Sequence, residues 1–388
     1  MNYKDRWLLP AGISEVLPKE ADYLEKLRRH LLDLYASWGY ELIIPPMVEY
    51  LESLLVERGD ALDLQTFKLI DQLTGRLMGV RADMTPQAAR IDAHHLKRQV
   101  PTRLCYLGTV LHTRPNNFAG SRSPLQVGAE LYGYKGIAAD IEILSLMQET
   151  LRETGIEEFK VDIGHVGIYQ NLIQQTKLNS QEKEDLFNAM KRKAVAEINE
   201  LLSKVSQPLR QMLSELVQLN GDRNILKEAR QVLSAAPPEI HTALNDLDAL
   251  SLSPQFSEVP LYFDLAESRG YDYHTGIVFA AYVSKHGQAI AKGGRYDIGY
   301  NRPATGFSTN LRTLVSLLDN PPSISPKKAT AIFAPATNDA NLVAIVKKLR
   351  KTGEVVICGL PNQTGDPQAL GCNRELRLMA DRWEVVSL

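Results

Sequence analysis

Two short runs of the chain carry polar side chains at spacings that suit the binding of a small charged molecule. In the first run, Asp83 and Thr85 stand two residues apart. Because alternate residues of a strand share one face, a carboxylate and a hydroxyl so placed can both accept hydrogen bonds from one ammonium group. In the second run, Gln126 and Glu130 are four residues apart, which again places both on one strand face. The alternative for the first run is local, since Asp83 or Thr85 can cap a following helix.

A third polar segment, Arg269–Gly276, leads into an apolar stretch at 275–283. Arg269 can pair with a carboxylate, and Tyr273 contributes a phenol. His274 can accept or donate one hydrogen bond, and its charge changes near neutral pH. The segment therefore places three polar side chains at the start of a predicted strand, where the plainer interpretation is that they are strand-edge residues.

The elements that must position these side chains follow from the hydrophobic pattern. Leucines and aromatic residues recur at steps of three and four over 19–38, which predicts an amphipathic helix. A short strand follows it and is stopped by Pro45, because proline cannot donate to a sheet. Further strands are predicted at 66–70, 76–80, 103–111, 125–133, 159–163, 260–264, 275–283 and 288–291, and further helices at 139–154 and 306–319.

Changes in amino-acid composition along the chain predict its domain boundaries. From about 168 to 256, Glu, Lys, Gln and Leu dominate with helical periodicity, which predicts a helical insertion inside the main domain. A polar, proline-rich stretch at 320–328 predicts a linker. We therefore expect a main domain over 1–319 and a short C-terminal α/β domain over 329–388.

Composition narrows the classes of function. The chain has 388 residues, of which 44% are hydrophobic and 23% charged, as in ordinary globular proteins. Its net charge of -2 gives no support for binding a nucleic-acid backbone. No apolar run approaches the roughly 18 residues of a membrane span, and the first residues are charged, so we expect no secretory signal and a cytoplasmic location. The three cysteines match neither a zinc pattern nor a disulfide framework, and we expect no metal and no cofactor.

Four segments, Arg81–Pro86, Gln126–Gly133, Arg269–Gly276 and 293–312, resemble motifs of the histidyl-tRNA synthetase family. The resemblance implies an α+β fold with a class II aminoacyl-tRNA synthetase-like core, in which helices flank an antiparallel sheet. The first helix and strand resemble the class II motif that builds the dimer interface in that family, which implies self-association. By the same resemblance, the candidate histidine-binding residues are Asp83, Thr85, Gln126, Glu130, Arg269, Tyr273 and His274.

Two positions depart from the synthetase pattern. His112 takes the place of the arginine that clamps the ATP α-phosphate, and an imidazole lacks the fork that phosphate recognition uses. Thr313 takes the place of the arginine that faces the γ-phosphate. Arg312 is one step away, about 100° around the helix, and is expected to point elsewhere. We therefore expect no ligase activity, unless Arg114 substitutes for the missing clamp.

The amino-acid sequences of the segments Tyr273–Ala280 and Arg302–Thr309 resemble those of one family of synthetase paralogues, the regulatory subunits of ATP phosphoribosyltransferase. This implies a non-catalytic protein that activates a short-form catalytic subunit in histidine biosynthesis and helps to transmit feedback inhibition by L-histidine. An active histidine–tRNA ligase and an RNA-sensing pseudo-synthetase are the alternatives. The sequence leaves open whether histidine binds in the synthetase-like pocket or at the contact with the catalytic subunit.

Overall fold

The computed structural model of the chain describes residues 8–55, 60–115, 121–267, 273–297, 302–318, 331–337, 339–360 and 366–388. By its internal contacts the chain divides into two units, Met1–Pro321 and Pro322–Leu388. The predicted linker, 320–328, lies outside the described residues. None of the helices in the described ranges combines the length and the apolar character that crossing a membrane requires.

A nine-stranded, largely antiparallel sheet organises the first unit. In spatial order its strands are β1 (Glu41–Leu42), β5 (Thr102–Thr109), β6 (Leu125–Tyr132), β12 (Ala304–Asn310), β11 (Ala291–Tyr296), β10 (His274–Tyr282), β7 (Lys160–His165), β9 (Leu261–Asp264) and β8 (Asn220–Gly221). Only the pairs β1–β5 and β7–β9 are parallel among the described strands of this sheet. A smaller antiparallel sheet consists of β2 (Val48–Tyr50), β4 (Leu77–Val80) and β3 (Phe67–Ile70).

Helices cover the large sheet, and several lie between β7 and β9, where the helical insertion is predicted. Outside the insertion they are α1 (Pro18–Ser37), α2 (Leu51–Leu54), α3 (Asp60–Gln65), α4 (Thr85–Arg90) with a π-helical turn (Ile91–Leu96), α5 (Ile137–Glu153) and α12 (Leu311–Ser316). Between β7 and β9 lie α6 (Val166–Gln174), α7 (Ser180–Lys191), α8 (Val195–Leu201), α9 (Leu209–Leu216), α10 (Ile225–Val232) and α11 (Pro238–Ser251). In α1 the buried residues Leu24, Leu27 and Leu31 recur at the predicted steps, so one face of the helix packs on the core.

Two predicted elements are wrong at the centre of the large sheet. The strand predicted at 288–291 begins only at Ala291 and runs to Tyr296, so the glycine pair lies inside it. The helix predicted over 306–319 is strand as far as Asn310. In both places glycines lie inside a strand, where they allow the neighbouring backbones to approach closely. A Cβ at Gly293 would lie 2.2 Å from the carbonyl oxygen of Gly306.

The second unit is a small α/β arrangement. Its four-stranded sheet has the order β14 (Val356–Cys358), β13 (Ala331–Ala334), β15 (Cys372–Met379) and β16 (Arg382–Ser387). Strand β13 is parallel to both of its neighbours, and β15 and β16 are antiparallel. The helix α13 (Ala340–Lys351) buries Leu342 and Val346 in the core of this unit.

Candidate functional site

A cavity of about 250 Å³ opens on the central strands of the large sheet. It is lined by Asp83, Thr85, Glu130, Tyr273, His274, Val278, Phe279, Lys292, Gly293, Gly294, Tyr296, Gly306, Phe307 and Ser308. Strand register explains its shape, because Gly294 of β11 lies opposite Gly306 of β12, which in turn lies opposite Glu130 of β6. Since neither glycine has a side chain, the floor beside Glu130 is open.

Glu130 is a buried carboxylate, with 1% of its surface exposed. Its Oε1 accepts a hydrogen bond from the Tyr106 hydroxyl at 2.9 Å, and its Oε2 accepts one from the Tyr296 hydroxyl at 2.8 Å. Burial raises the pKa of Glu130 to about 7, although the tyrosine hydrogen bonds oppose that shift. Among the described residues no cationic side chain pairs with this carboxylate. Within the part of the chain that the structure describes, Glu130 therefore has hydroxyl partners, chiefly Tyr296 and Tyr106 with a contribution from Thr85, but no counter-charge.

Gly306 makes room for that carboxylate. A Cβ at position 306 would lie 1.6 Å from Oε2 of Glu130, well inside any permitted contact. The glycine in this strand is therefore required by a side chain on the neighbouring strand.

Asp83 and Thr85 both line the cavity, but the prediction that they share a strand face is wrong. Asp83 lies in the bend before α4, and Thr85 is the first residue of that helix. Pro86 favours a helix start at this point, because proline is suited to the first helical positions. The Thr85 N–H donates to Oδ1 of Asp83 at 3.0 Å, so the local role of Asp83 at the helix start coexists with its position in the cavity.

Gln126 acts behind the cavity wall. Its Nε2 donates to Oδ1 of Asp83 at 2.8 Å, and its Oε1 accepts from the N–H of Met84 at 3.0 Å. It is not one of the described residues that line the cavity. Gln126 therefore orients Asp83.

Tyr273 and His274 close another side of the cavity, where β10 begins. Their ring centroids are 4.1 Å apart, and the ring of Tyr273 meets that of Tyr296 edge-on at 6.5 Å. The aromatic rings thus provide an apolar wall next to Glu130. Arg269, the residue proposed for a ligand carboxylate, lies outside the described residues.

His112 is buried and turned into the protein. Its Nε2 lies 2.9 Å from the carbonyl oxygen of Ala82, so this nitrogen donates to it. Burial lowers the pKa of His112, which keeps the imidazole neutral at pH 7. The side chain therefore has neither the charge nor the free geometry of a phosphate clamp. Arg114, which is exposed, is absent from the described lining of the cavity.

Thr313, the second position that departs from the synthetase pattern, also makes a contact within the chain. Thr313 accepts a hydrogen bond from Nδ2 of Asn310 at 2.8 Å, which closes the first turn of α12. Arg312 points away as predicted and donates to the hydroxyl of Ser14 at 2.8 Å. No arginine is among the described residues that line the cavity.

A second buried charge cluster lies behind β11 and was missed in the sequence. Arg295 of β11 donates to the carboxylate of Asp140 on α5, and its Nη2 also lies 3.3 Å from Oδ2 of Asp246 on α11. Burial raises the pKa of Asp140 to about 6, whereas Arg295 lowers it. This cluster joins the helical insertion to the strand that forms part of the cavity floor.

Several lining residues were also missed, and strand alternation offered a signal for them. Lys292, Gly294 and Tyr296 alternate along β11 and therefore face the same side as the cavity. Ser308 lies opposite Lys292 on β12. Across the described ranges, no three His, Cys, Asp or Glu side chains are grouped to hold a metal ion.

Comparison with known proteins identifies the family. The histidyl-tRNA synthetase family model matches residues 12–314, and the model of the ATP phosphoribosyltransferase subunit HisZ C-terminal domain matches residues 328–386. A solved structure from Bacillus halodurans, described as an ATP phosphoribosyltransferase regulatory subunit/histidyl-tRNA synthetase, superimposes with a TM-score of 0.81 at 29% identity, over 95% of this chain and 97% of that one. The predicted class II synthetase-like α+β fold is confirmed.

Two full-length relatives are both named ATP phosphoribosyltransferase regulatory subunit. The one from Thioalkalivibrio sulfidiphilus is 54% identical over 100% of both chains. The one from Alkalilimnicola ehrlichii is 50% identical over 96% of this chain and 95% of its own. The chain therefore belongs to the ATP phosphoribosyltransferase regulatory subunit family.

Proposed function

We propose that this regulatory subunit binds L-histidine in the cavity beside Glu130 and transmits feedback inhibition to a short-form ATP phosphoribosyltransferase catalytic subunit. The reaction of that partner joins ATP to phosphoribosyl pyrophosphate. The chain itself contributes no catalytic residue. It raises the turnover of its partner and makes that turnover depend on histidine.

The observation that carries the proposed histidine site is the buried carboxylate of Glu130. An imidazole N–H can donate to it, and an imidazolium would supply the positive charge that the described surroundings lack. Asp83 and Thr85 line the same cavity and offer oxygen acceptors for the ligand ammonium. The aromatic wall formed by Tyr273 and His274 suits the faces of an imidazole ring.

The residues at the two positions where the synthetases have ATP-binding arginines, His112 and Thr313, support a regulatory role over tRNA ligase activity. Each charged hydrogen bond to a phosphate contributes about 1.5–3 kcal/mol. The neutral His112 and the hydroxyl of Thr313 bring no positive charge to replace the two arginines. We expect no pyrophosphate exchange with histidine, ATP and magnesium. Exchange above background would contradict the regulatory assignment and would indicate that Arg114 substitutes for the missing clamp.

Binding is tested by calorimetry of the full chain with L-histidine. Glu130→Ala removes the acceptor and leaves an imidazole N–H unpaired, so the affinity is expected to fall about 5- to 150-fold. Glu200→Ala, which truncates an exposed glutamate of α8, is the matched control and is expected to leave the affinity unchanged. An unaltered affinity in Glu130→Ala would place the histidine site elsewhere.

Regulation is tested by a phosphoribosyltransferase assay with the catalytic subunit, with and without this chain. Addition of the chain is expected to raise the turnover, and histidine to lower it again. Glu130→Ala is expected to keep the activation but lose the inhibition by low histidine. Unchanged inhibition would mean that the effector binds at the contact between the two subunits.

We also propose that the chain self-associates through the region of its first helix and strand. Support comes from β1, an edge strand of the large sheet, beside which Leu42 and Ile44 are 47% and 87% exposed. A second copy would cover these apolar side chains. Light scattering of Ile44→Asp against the native chain tests this: a native monomer, or a variant dimer of undiminished stability, would contradict it.

A further inference from the structure

The cavity beside Glu130 also contains a lysine. Lys292 lies on β11, and within the described residues its ammonium has no hydrogen-bond or ion-pair partner. It is the only side chain with a permanent positive charge among the described lining residues. Two carboxylates, Asp83 and Glu130, line the same cavity, yet Lys292 pairs with neither. A cation in this position is available to an anionic group of a ligand.

The strand register fixes the position of Lys292 relative to Glu130. Lys292 lies opposite Ser308, two residue pairs along the strands from the facing pair Gly294 and Gly306. Gly306 in turn lies opposite Glu130. From the usual strand spacing and rise, the two backbone positions are about 10 Å apart across the sheet and about 7 Å apart along it. The two glycines leave the floor between them without side chains, so one ligand can reach both ends.

We infer that Lys292 binds the carboxylate of the ligand, and that the cavity therefore selects imidazole amino acids with a free carboxylate; this inference rests on the proposed histidine site. Histidine has three polar parts. Glu130 suits the imidazole, and Asp83 with Thr85 suits the ammonium. Lys292 has the sign for the remaining part, and the hydroxyl of Ser308 beside it can donate to the same carboxylate.

The assignment separates ligands that differ only in this group. Histamine lacks the carboxylate, and histidinol carries a hydroxymethyl group in its place. A charged hydrogen bond to the carboxylate predicts that the native chain binds histidine about 10- to 100-fold more tightly than either analogue. The competing residue for this role is Arg269, so variants of both positions are needed.

Calorimetry of the full chain with the three ligands tests the assignment. Lys292→Met keeps an apolar stem and removes the charge, so it should weaken histidine about 10- to 100-fold and change histamine and histidinol less than about threefold. Lys292→Arg should retain most of the preference for histidine, since it retains the charge. Lys160→Met removes an exposed lysine from β7 of the same sheet and should change nothing. Circular dichroism confirms that each variant is folded.

The outcomes are distinct. Loss of the preference for histidine in Lys292→Met, with its recovery in Lys292→Arg, supports the assignment. An unchanged preference in Lys292→Met, or its loss only in Arg269→Met, overturns the role of Lys292 while leaving the proposed histidine site in place. Equal weakening of all three ligands also overturns it. A native chain that binds none of them overturns the histidine site and this inference together.

Discussion

Two buried carboxylates lie against opposite faces of one sheet, and they differ in whether a cationic side chain pairs with them. Behind the sheet, Asp140 is paired with the guanidinium of Arg295. On the cavity face, the described hydrogen-bond partners of Glu130 are uncharged hydroxyls, chiefly those of Tyr296 and Tyr106. Burial raises the pKa of both, but only Asp140 has a cation from the described protein to oppose that rise. The carboxylate that joins two elements is thus neutralised within the chain, whereas no described cation neutralises the carboxylate in the cavity.

The largest effect is expected from breaking the pair behind the sheet. Arg295→Met leaves Asp140 buried without its cation, and such a loss costs about 3–5 kcal/mol of unfolding free energy. Urea unfolding of the two chains measures the difference. The double variant Asp140→Leu/Arg295→Met should recover much of the loss, because no unpaired charge remains. A loss of unfolding free energy below about 1 kcal/mol in Arg295→Met would show that the Asp140–Arg295 pair does not stabilise the fold as the comparison with Glu130 supposes.

A second prediction concerns the space around Glu130. Gly306→Ala places a methyl group where the carboxylate now lies, so Glu130 must move away from its tyrosine partners. We expect histidine affinity to fall about tenfold or more, as for loss of a hydrogen bond of about 1–3 kcal/mol. Gly287→Ala is the matched control, since a Cβ there meets nothing within 4 Å. Equal effects of the two variants would show that the contact is not limiting.

A third prediction is a pH dependence of binding. The pKa of Glu130 is about 7, so the group ionises as the pH rises through neutrality. The carboxylate accepts an imidazole N–H more strongly than the protonated acid does, and histidine affinity is therefore expected to rise several-fold from pH 5.5 to pH 7.5. Calorimetry at a series of pH values measures the rise. Glu130→Gln does not titrate and should lose most of it; an equal rise in that variant would assign the dependence to the ligand alone.

The smallest effect is expected for the stability of Glu130→Gln. Burial raises the folded-state pKa of Glu130 above its ordinary value of 4.5 to about 7, so the native state holds the proton more tightly. This contribution to stability is present at low pH and is lost as the pH rises from about 4.5 to about 7. At pH 8 the glutamine variant should match or slightly exceed the native chain in urea. A loss comparable to that of Arg295→Met would mean that Glu130 is structural.

What the sequence revealed, and what it did not, follows from the range of the interactions. Asp83 and Glu130 were found because short motifs carry them, and β5 and β6 lie close to the strands predicted at 103–111 and 125–133. The ion pair between Asp140 and Arg295 joins residues 155 positions apart, and no local pattern encodes it. The continuation of β11 through its glycines was not predicted for a related reason, since their role is visible only once the neighbouring strand is in place.

The contact between Gly306 and Glu130 has a consequence for how the family can vary. While the Glu130 carboxylate keeps its present position, even a methyl group at position 306 would overlap its Oε2. A methyl group can therefore enter position 306 only if the acid is replaced by a shorter residue or gives up its contacts with Tyr106 and Tyr296. Relatives with a residue other than glycine at the equivalent of 306 are expected either to lack the glutamate or to hold it away from its tyrosines, and in both cases to respond less to imidazole ligands.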